Sequence, residues 1–276
     1  MAIQNSVITN PSSLVALRNL NSINRNLDTI QNRVSTGLKI TGALDDASNF
    51  AIAQGIRGEL KAITAVSQGL NNAKGVGNVA LAGVTGLSDL LADVRSKLTE
   101  LSNEGITTAQ RNILGDDFDA LLSQAANFID NAVFNGINLL DTATLSTDVA
   151  TLSNLNGGTL TLSAQDVRTT TLSLAGVSTG SASAAQTVIS AQFANLESVV
   201  NSALGSLGAE VRAMNLQTSF LEKISDATEE GLGNIVDANL ARESAKLTSL
   251  QVQQQLGVQT LGISNQRPQV LLGLFG

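Results

Sequence analysis

The chain has 276 residues, a net charge of −7 at pH 7 and neither Cys nor His. The missing thiols and imidazoles exclude disulfides, ordinary transition-metal sites and the usual bases of nucleophilic catalysis. An acidic balance without a Lys/Arg cluster argues against nucleic acid as a partner, and no continuous apolar run reaches the roughly 18 residues of a membrane span. We therefore expect neither nucleic-acid binding nor membrane insertion.

The first predicted element is a helix over Ser13–Leu38. Its apolar residues follow a 3, 4, 3, 4 spacing, which places one narrow stripe along the helix. Asn and Gln crowd the flanking faces. A single helix of this length is marginal in water, so the stripe needs a partner. Glycines at positions 37 and 42 predict a break at roughly 36 to 44.

A much longer helix is predicted to follow, with Asp45 and Asp46 in its first turn, where negative charge complements the helix dipole. Its later seam has no slip in the 3, 4 spacing and comprises Gly77, Ala80, Val84, Leu87, Leu91, Val94, Leu98 and Leu101. Gly75 and Gly77 are interpreted as flexible points, each costing about 1 kcal/mol against Ala. After Gly105, a helix capped by Thr107 or Thr108 is predicted as an antiparallel neighbour, with a seam through Leu114, Phe118, Leu121, Ala125, Phe128 and Ala132.

Between residues 135 and 180 the pattern becomes rich in Thr, Ser and Gly. Thr159–Leu162 and Thr171–Leu174 alternate polar and apolar residues, which predicts two strands of a small β-hairpin region. Helix returns at Ser181 with a seam that begins at Ile189. Two successive four-residue steps before Val211 predict a stutter in that seam.

The last segment, from Ile235 to the end, is the predicted partner of the first helix. Leu240, Leu247, Gln254 and Leu261 recur every seven residues, and Arg267–Pro268 is predicted to end the helix. Side chains of Asn and Gln neither repel nor carry charge, so we favour assembly of like helices over plain solvent surface. The candidate assembly interface comprises Leu20, Ile23, Leu27, Ile30, Val34, Leu240, Leu247, Leu250, Gln254 and Leu261.

The expected fold is mainly α: a long antiparallel helical rod with coiled-coil terminal helices and a small β-hairpin region. The expected segments are 1–44 and 235–276 for the terminal helices, 45–134 and 181–234 for the rod, and 135–180 for a β-rich part. Gly176–Gly180 fits a nucleophile elbow, but the chain has no His to activate its serine. We expect no enzyme, no cofactor and no metal.

At both ends the chain resembles a bacterial flagellin, in a short form without large outer domains. The resemblance covers about residues 1–140 and 185–276. It rests on the order and spacing of Arg33–Ile40, Asp45–Ala47, Phe134–Leu140, Leu207–Ala209, Asp237–Ala241, Gln253–Gln255 and Gln266–Leu272.

The resemblance implies a self-assembling subunit of the extracellular flagellar filament. Its partners would be identical or related flagellins, the flagellar type III export apparatus with an export chaperone, and the filament cap and hook-associated junction proteins. The absence of a recognisable secretory signal peptide agrees with that route. Family analogy makes Thr169, Thr170 and Thr171 candidates for O-glycosylation. The alternatives are a hook–filament junction protein or another type III secreted coiled-coil protein.

Overall fold

The computed structural model describes residues 10–142 and 147–272, with side chains up to Gln266. Its helices are α1 (Pro11–Thr36), α2 (Ala47–Leu101), α3 (Thr108–Asp130), α4 (Val167–Ala175), α5 (Ala182–Val188), α6 (Ala194–Val236) and α7 (Leu240–Leu272), with a π-helical turn at Ile189–Phe193. Two strands, β1 (Val149–Leu152) and β2 (Thr159–Leu162), pair antiparallel. The expected mainly α class with a small hairpin is confirmed.

The described residues form two compact units. The terminal unit lies within Met1–Gly58 and Ala227–Gly276, and the central unit is Glu59–Asp226. The core of the central unit is built from apolar stripes on its helices. On α2, every predicted seam residue from Gly77 to Leu101 is buried. On α6, the buried residues keep the predicted double four-residue step, and they are Leu196, Val200, Ala203, Leu207, Val211, Met214, Thr218 and Leu221.

Two seams differ from their prediction by one residue. In α3, Leu122 and Ile129 are buried, whereas the predicted Leu121 and Phe128 are half-buried. Before α6, Val188 is buried instead of the predicted Ile189. The π-helical turn explains the second shift, because its wider turn brings residues five apart, Val188 and Phe193, onto one face.

One of the two predicted hairpin strands is wrong. Thr159–Leu162 is β2, but its partner is Val149–Leu152, and the predicted strand Thr171–Leu174 lies inside α4. Asp166 caps that helix by accepting a hydrogen bond from the Thr169 N–H at 3.2 Å. Four residues are too few to separate a period of 2 from a period of 3.6, since Thr171 and Leu174 are also neighbours on one helical face.

The loop after α3 makes hydrogen bonds both to the end of α3 and to the residues just before α4. Asn135 and Gly136 both have positive φ, at 49° and 79°, as is typical of an Asn-Gly turn. The buried Asn138 donates from Nδ2 to the Ile129 carbonyl at 2.7 Å, which satisfies the end of α3. The carbonyl of Leu139 accepts from the Gln165 N–H at 2.7 Å, just before α4.

By length and hydropathy alone, α2 could cross a membrane, with a mean hydropathy of 1.3 over its most apolar 18-residue window. Core helices of soluble proteins pass the same test. A third of that window is buried inside the fold, as expected for one core-facing stripe.

Three glycines of α2, Gly75, Gly77 and Gly83, are sites of close packing, a role that the interpretation of the first two as flexible points did not include. A Cβ on Gly75 would lie 2.9 Å from the Phe134 ring, and one on Gly77 would lie 2.7 Å from Val211. A Cβ on Gly83 would lie 2.8 Å from the Ala132 Cβ and 3.3 Å from the Phe128 carbonyl oxygen. Each missing side chain therefore lets another element approach the helix.

Replacing Gly83 by Ala should lower the free energy of unfolding by about 1–3 kcal/mol, because backbone must shift to admit the methyl group. Gly205→Ala is the matched control in α6, where nothing lies within 4 Å of an added Cβ. That change should raise the free energy by about 0.5–1 kcal/mol through helix propensity. Urea unfolding of both variants checks this, and equal stabilisation by the two alanines would contradict close packing at Gly83.

Candidate assembly interface

In the terminal unit, α1 packs along α7 in the antiparallel direction. The side chain of Asn10 bonds to Ser264, and farther along α1 the Oδ1 of Asn24 accepts from Gln254 Nε2 at 2.8 Å. Gly257 lies beside Leu20, whose Cδ1 would be 3.3 Å from an added Cβ. The predicted pairing of the two ends of the chain is confirmed.

Asn10 fixes the start of α1 and contacts α7 with the same side chain. Its Oδ1 accepts from the Ser13 N–H at 3.2 Å, and Pro11 follows at the first helical position. Its Nδ2 donates to the Ser264 carbonyl at 2.7 Å. The other end of α1 closes at Gly37, which has φ of 73° and donates to the Arg33 carbonyl.

The prediction that the last helix ends at Arg267–Pro268 is wrong, because α7 runs to Leu272. Proline has no N–H, so the carbonyl four residues before it loses its usual helical donor. That carbonyl belongs to Ser264, and it is the one that accepts the bond from Asn10. The side chain of Asn10, which caps α1, thus replaces the missing backbone donor of α7.

The predicted interface residues lie on the least exposed stripe of each helix, with one exception. Ile30 is buried, and the remaining residues are half-buried: Leu20, Ile23, Leu27 and Val34 on α1, and Leu247, Leu250, Gln254 and Leu261 on α7. Leu240 is 49% exposed and lies off this stripe, and its role in assembly stays a prediction. The buried residue at that end is Glu243, four residues before Leu247.

Sequence reasoning missed Glu243. It is 8% exposed, and its Oε1 accepts from Lys246 Nζ at 3.2 Å. Its Oε2 is buried without a hydrogen-bond partner among the described residues. Its spacing to Leu247 fits the seam, but a carboxylate at a seam position is normally assigned to solvent because burying it is costly.

The outward faces of the same pair carry large apolar side chains. In the described parts of α1 and α7, those between 43% and 65% exposed are Leu14, Val15, Leu17, Leu240, Val252, Leu256, Val258 and Ile263. A soluble monomer seldom exposes so much apolar area on one small unit. Among the described residues, no group of three or more His, Cys, Asp or Glu side chains is placed to hold a metal ion.

The segment between α1 and α2 is held by backbone and carboxylate bonds. Lys39 N–H donates to the Val236 carbonyl at 2.6 Å, and Ala238 N–H to the Gly37 carbonyl at 2.8 Å. Because α2 begins at Ala47, Asp45 and Asp46 precede it and do not lie in its first turn. Asp46 caps the helix by accepting from the Asn49 N–H at 3.0 Å.

Both carboxylates of this segment have a pKa below their ordinary value. For Asp45, the cause is first the Thr41 hydroxyl, which donates at 2.7 Å, and then the N–H groups of Thr41 and Gly42. For Asp46, the bonds from the Asn49 N–H and side-chain amide lower the pKa. Each carboxylate is therefore held in the charged form by the loop that it orders.

The three candidate glycosylation residues lie in α4 and differ in access. Thr171 is 1% exposed and its hydroxyl donates to the Val167 carbonyl at 2.9 Å, so a glycan there is incompatible with the fold. Thr170 is half-buried and Thr169 is exposed. Thr169 is therefore the most accessible of the three.

Long helices, a paired set of terminal helices and an apolar outer face define a structural protein that associates with others. Residues 7–145 match the bacterial flagellin N-terminal helical region, and residues 191–275 match the bacterial flagellin C-terminal helical region. The chain belongs to the bacterial flagellin family. That family is structural and not enzymatic, and its members polymerise into the extracellular flagellar filament.

Individual relatives match over the whole chain. Flagellin FljK of Caulobacter vibrioides is 38% identical over 272 residues, covering 98% of each chain. A flagellin of Brucella melitensis is 34% identical over 280 residues, covering 98% of this chain and 99% of the relative. The crystal structure of Bacillus cereus flagellin shares the fold at a TM-score of 0.51 and 19% identity, covering 55% of this chain and 88% of that one. These matches confirm the expected filament subunit, and none favours the junction-protein alternative.

Proposed function

We propose that this chain polymerises with identical or related copies through the outward faces of α1 and α7, as the subunit of a flagellar filament. The observation that carries the proposal is the set of large apolar side chains left exposed on both helices. The pairing of α1 with α7 uses their inner stripes, so these outward residues remain available for another chain.

The energetics favour folding that is coupled to assembly. Ordering a residue costs about 1–2 kcal/mol of backbone entropy, whereas burying a Leu side chain contributes about 1.5–3 kcal/mol. The inner stripe offers one apolar residue in every three or four, and most of these stay half-buried in the pair. Neighbouring copies would supply the missing burial, as a binding partner does for other segments that fold on binding.

Amide side chains beside the apolar residues suit crowding of like helices. The bond between Asn24 and Gln254 within the chain is an example of such a contact between α1 and α7. Copies of the same helix would meet without charge repulsion, because these faces are rich in Asn and Gln and carry few charges.

Leu256→Asp tests the proposal at a side chain that is 55% exposed. The variant should fold as a monomer, since it removes little burial, but a carboxylate in an apolar contact between copies should prevent polymerisation. Electron microscopy after seeding with wild-type filament fragments measures growth.

Leu256→Met is the matched control, because it keeps an apolar side chain of similar size. It should polymerise like the wild type. Filaments of Leu256→Asp at normal yield, from monomer with an unchanged circular dichroism spectrum, would refute the role of this face.

From the family we further infer export through the flagellar type III apparatus with a chaperone, and contacts with cap and junction proteins. Thr169 is our candidate for O-glycosylation, supported by its exposure. Intact and peptide mass spectrometry of filaments from the native host tests the export route and the glycosylation. The expected result is a subunit without a cleaved leader and with added mass at Thr169, while a trimmed N-terminus or an unmodified Thr169 would contradict the respective inference.

A further inference from the structure

Leu44 is displayed on an ordered loop between α1 and α2. Its relative exposure of 104% is the largest among the exposed large apolar residues of the described chain. The loop is fixed by Asp45, whose Oδ2 accepts from the Thr41 N–H at 2.9 Å, the Thr41 hydroxyl at 2.7 Å and the Gly42 N–H at 3.2 Å. Holding the loop in advance lowers the entropy cost of inserting Leu44 into a partner.

A groove of about 460 Å³ lies between α1 and α7 in the same unit. Ile30, which is 7% exposed, and the half-buried Leu250 supply its apolar lining. Arg33, Lys246 and Ser249 also line it. Leu44 of the same chain does not enter this groove, because it is entirely exposed.

The charges beside the leucine and in the groove are complementary. Asp45 and Asp46 directly follow Leu44 and outnumber the one cation of the loop, Lys39. In the groove, Glu243 pairs with Lys246, and Arg33 is a second cation, which also attracts Asp45 of its own chain. The buried Nε of Arg33 has no hydrogen-bond partner among the described residues.

We propose that Leu44 of one copy inserts into the α1–α7 groove of the next copy. Loop and groove are different patches of one unit, so the contact is heterologous, and two joined copies together still have one free loop and one free groove. Repetition of such a contact produces an open helical polymer instead of a closed dimer. This inference rests on the proposed function and names one specific contact within it.

Cross-linking tests the contact directly, because the natural chain has no Cys. Full-length Leu44→Cys is mixed with isotope-labelled full-length Ser249→Cys, and the mixture is polymerised on wild-type seeds and oxidised. A disulfide requires Cα atoms about 4.4–6.8 Å apart, so only a neighbour whose loop enters the groove reacts efficiently. The labelled and unlabelled pair should appear as a dimer in filaments and not in unpolymerised mixtures.

Gln255→Cys replaces Ser249→Cys in the matched control, since Gln255 is exposed on the same helix and does not line the groove. It should give little mixed dimer with Leu44→Cys. Filaments that form without the 44–249 cross-link, or with equal yield from the control, would overturn this contact. Failure of the wild-type chain to polymerise on seeds would instead count against the proposed function.

Substitution of Leu44 provides a second measurement. The side chain is entirely exposed in the monomer, so Leu44→Ala removes no packing and should leave monomer stability unchanged. It should raise the critical concentration for polymerisation about tenfold, whereas Leu44→Met should stay near the wild type. An unchanged critical concentration for Leu44→Ala would refute the inserted leucine even if filaments form.

Discussion

Two helices can cover only the faces that they turn toward each other, and this limit governs the terminal unit. Along the seam between α1 and α7, Ile30 is buried but most other residues are half-buried. On the opposite faces, large apolar side chains such as Leu256 stay exposed. A third or fourth layer must come from elsewhere for these helices to reach the burial of an ordinary core. Because members of this family polymerise, we propose that other subunits provide that layer.

The central unit meets the same requirement within one chain. Its helices carry stripes that are buried along their length, such as Val84 to Leu101 on α2. At Gly77 and Gly83 the neighbouring elements approach α2 so closely that no side chain would fit. This close approach lets residues of those elements cover the surface of α2. The two units therefore differ in how much apolar area each covers by itself.

Sequence periodicity predicted the features that repeat many times. The stripe of α2 and the stutter of α6 extend over several turns, so the 3.6-residue period is unmistakable. The predicted strand at Thr171–Leu174 was wrong because four residues fit either period. The predicted helix end at Pro268 was wrong because Asn10, distant in sequence, donates a hydrogen bond to the Ser264 carbonyl. Glu243 and Leu44 were missed because burial of a carboxylate and exposure of a leucine depend on tertiary contacts that spacing does not encode.

Hydrogen exchange by mass spectrometry, on monomer and on filament, tests most directly whether other copies stabilise the terminal helices. Amides of α1 and α7 should exchange rapidly in the monomer and slowly in the filament. Amides of Val84–Leu101 should be slow in both, because their stripe is buried within the chain. Equal protection of α1 and α7 in monomer and filament would contradict the account.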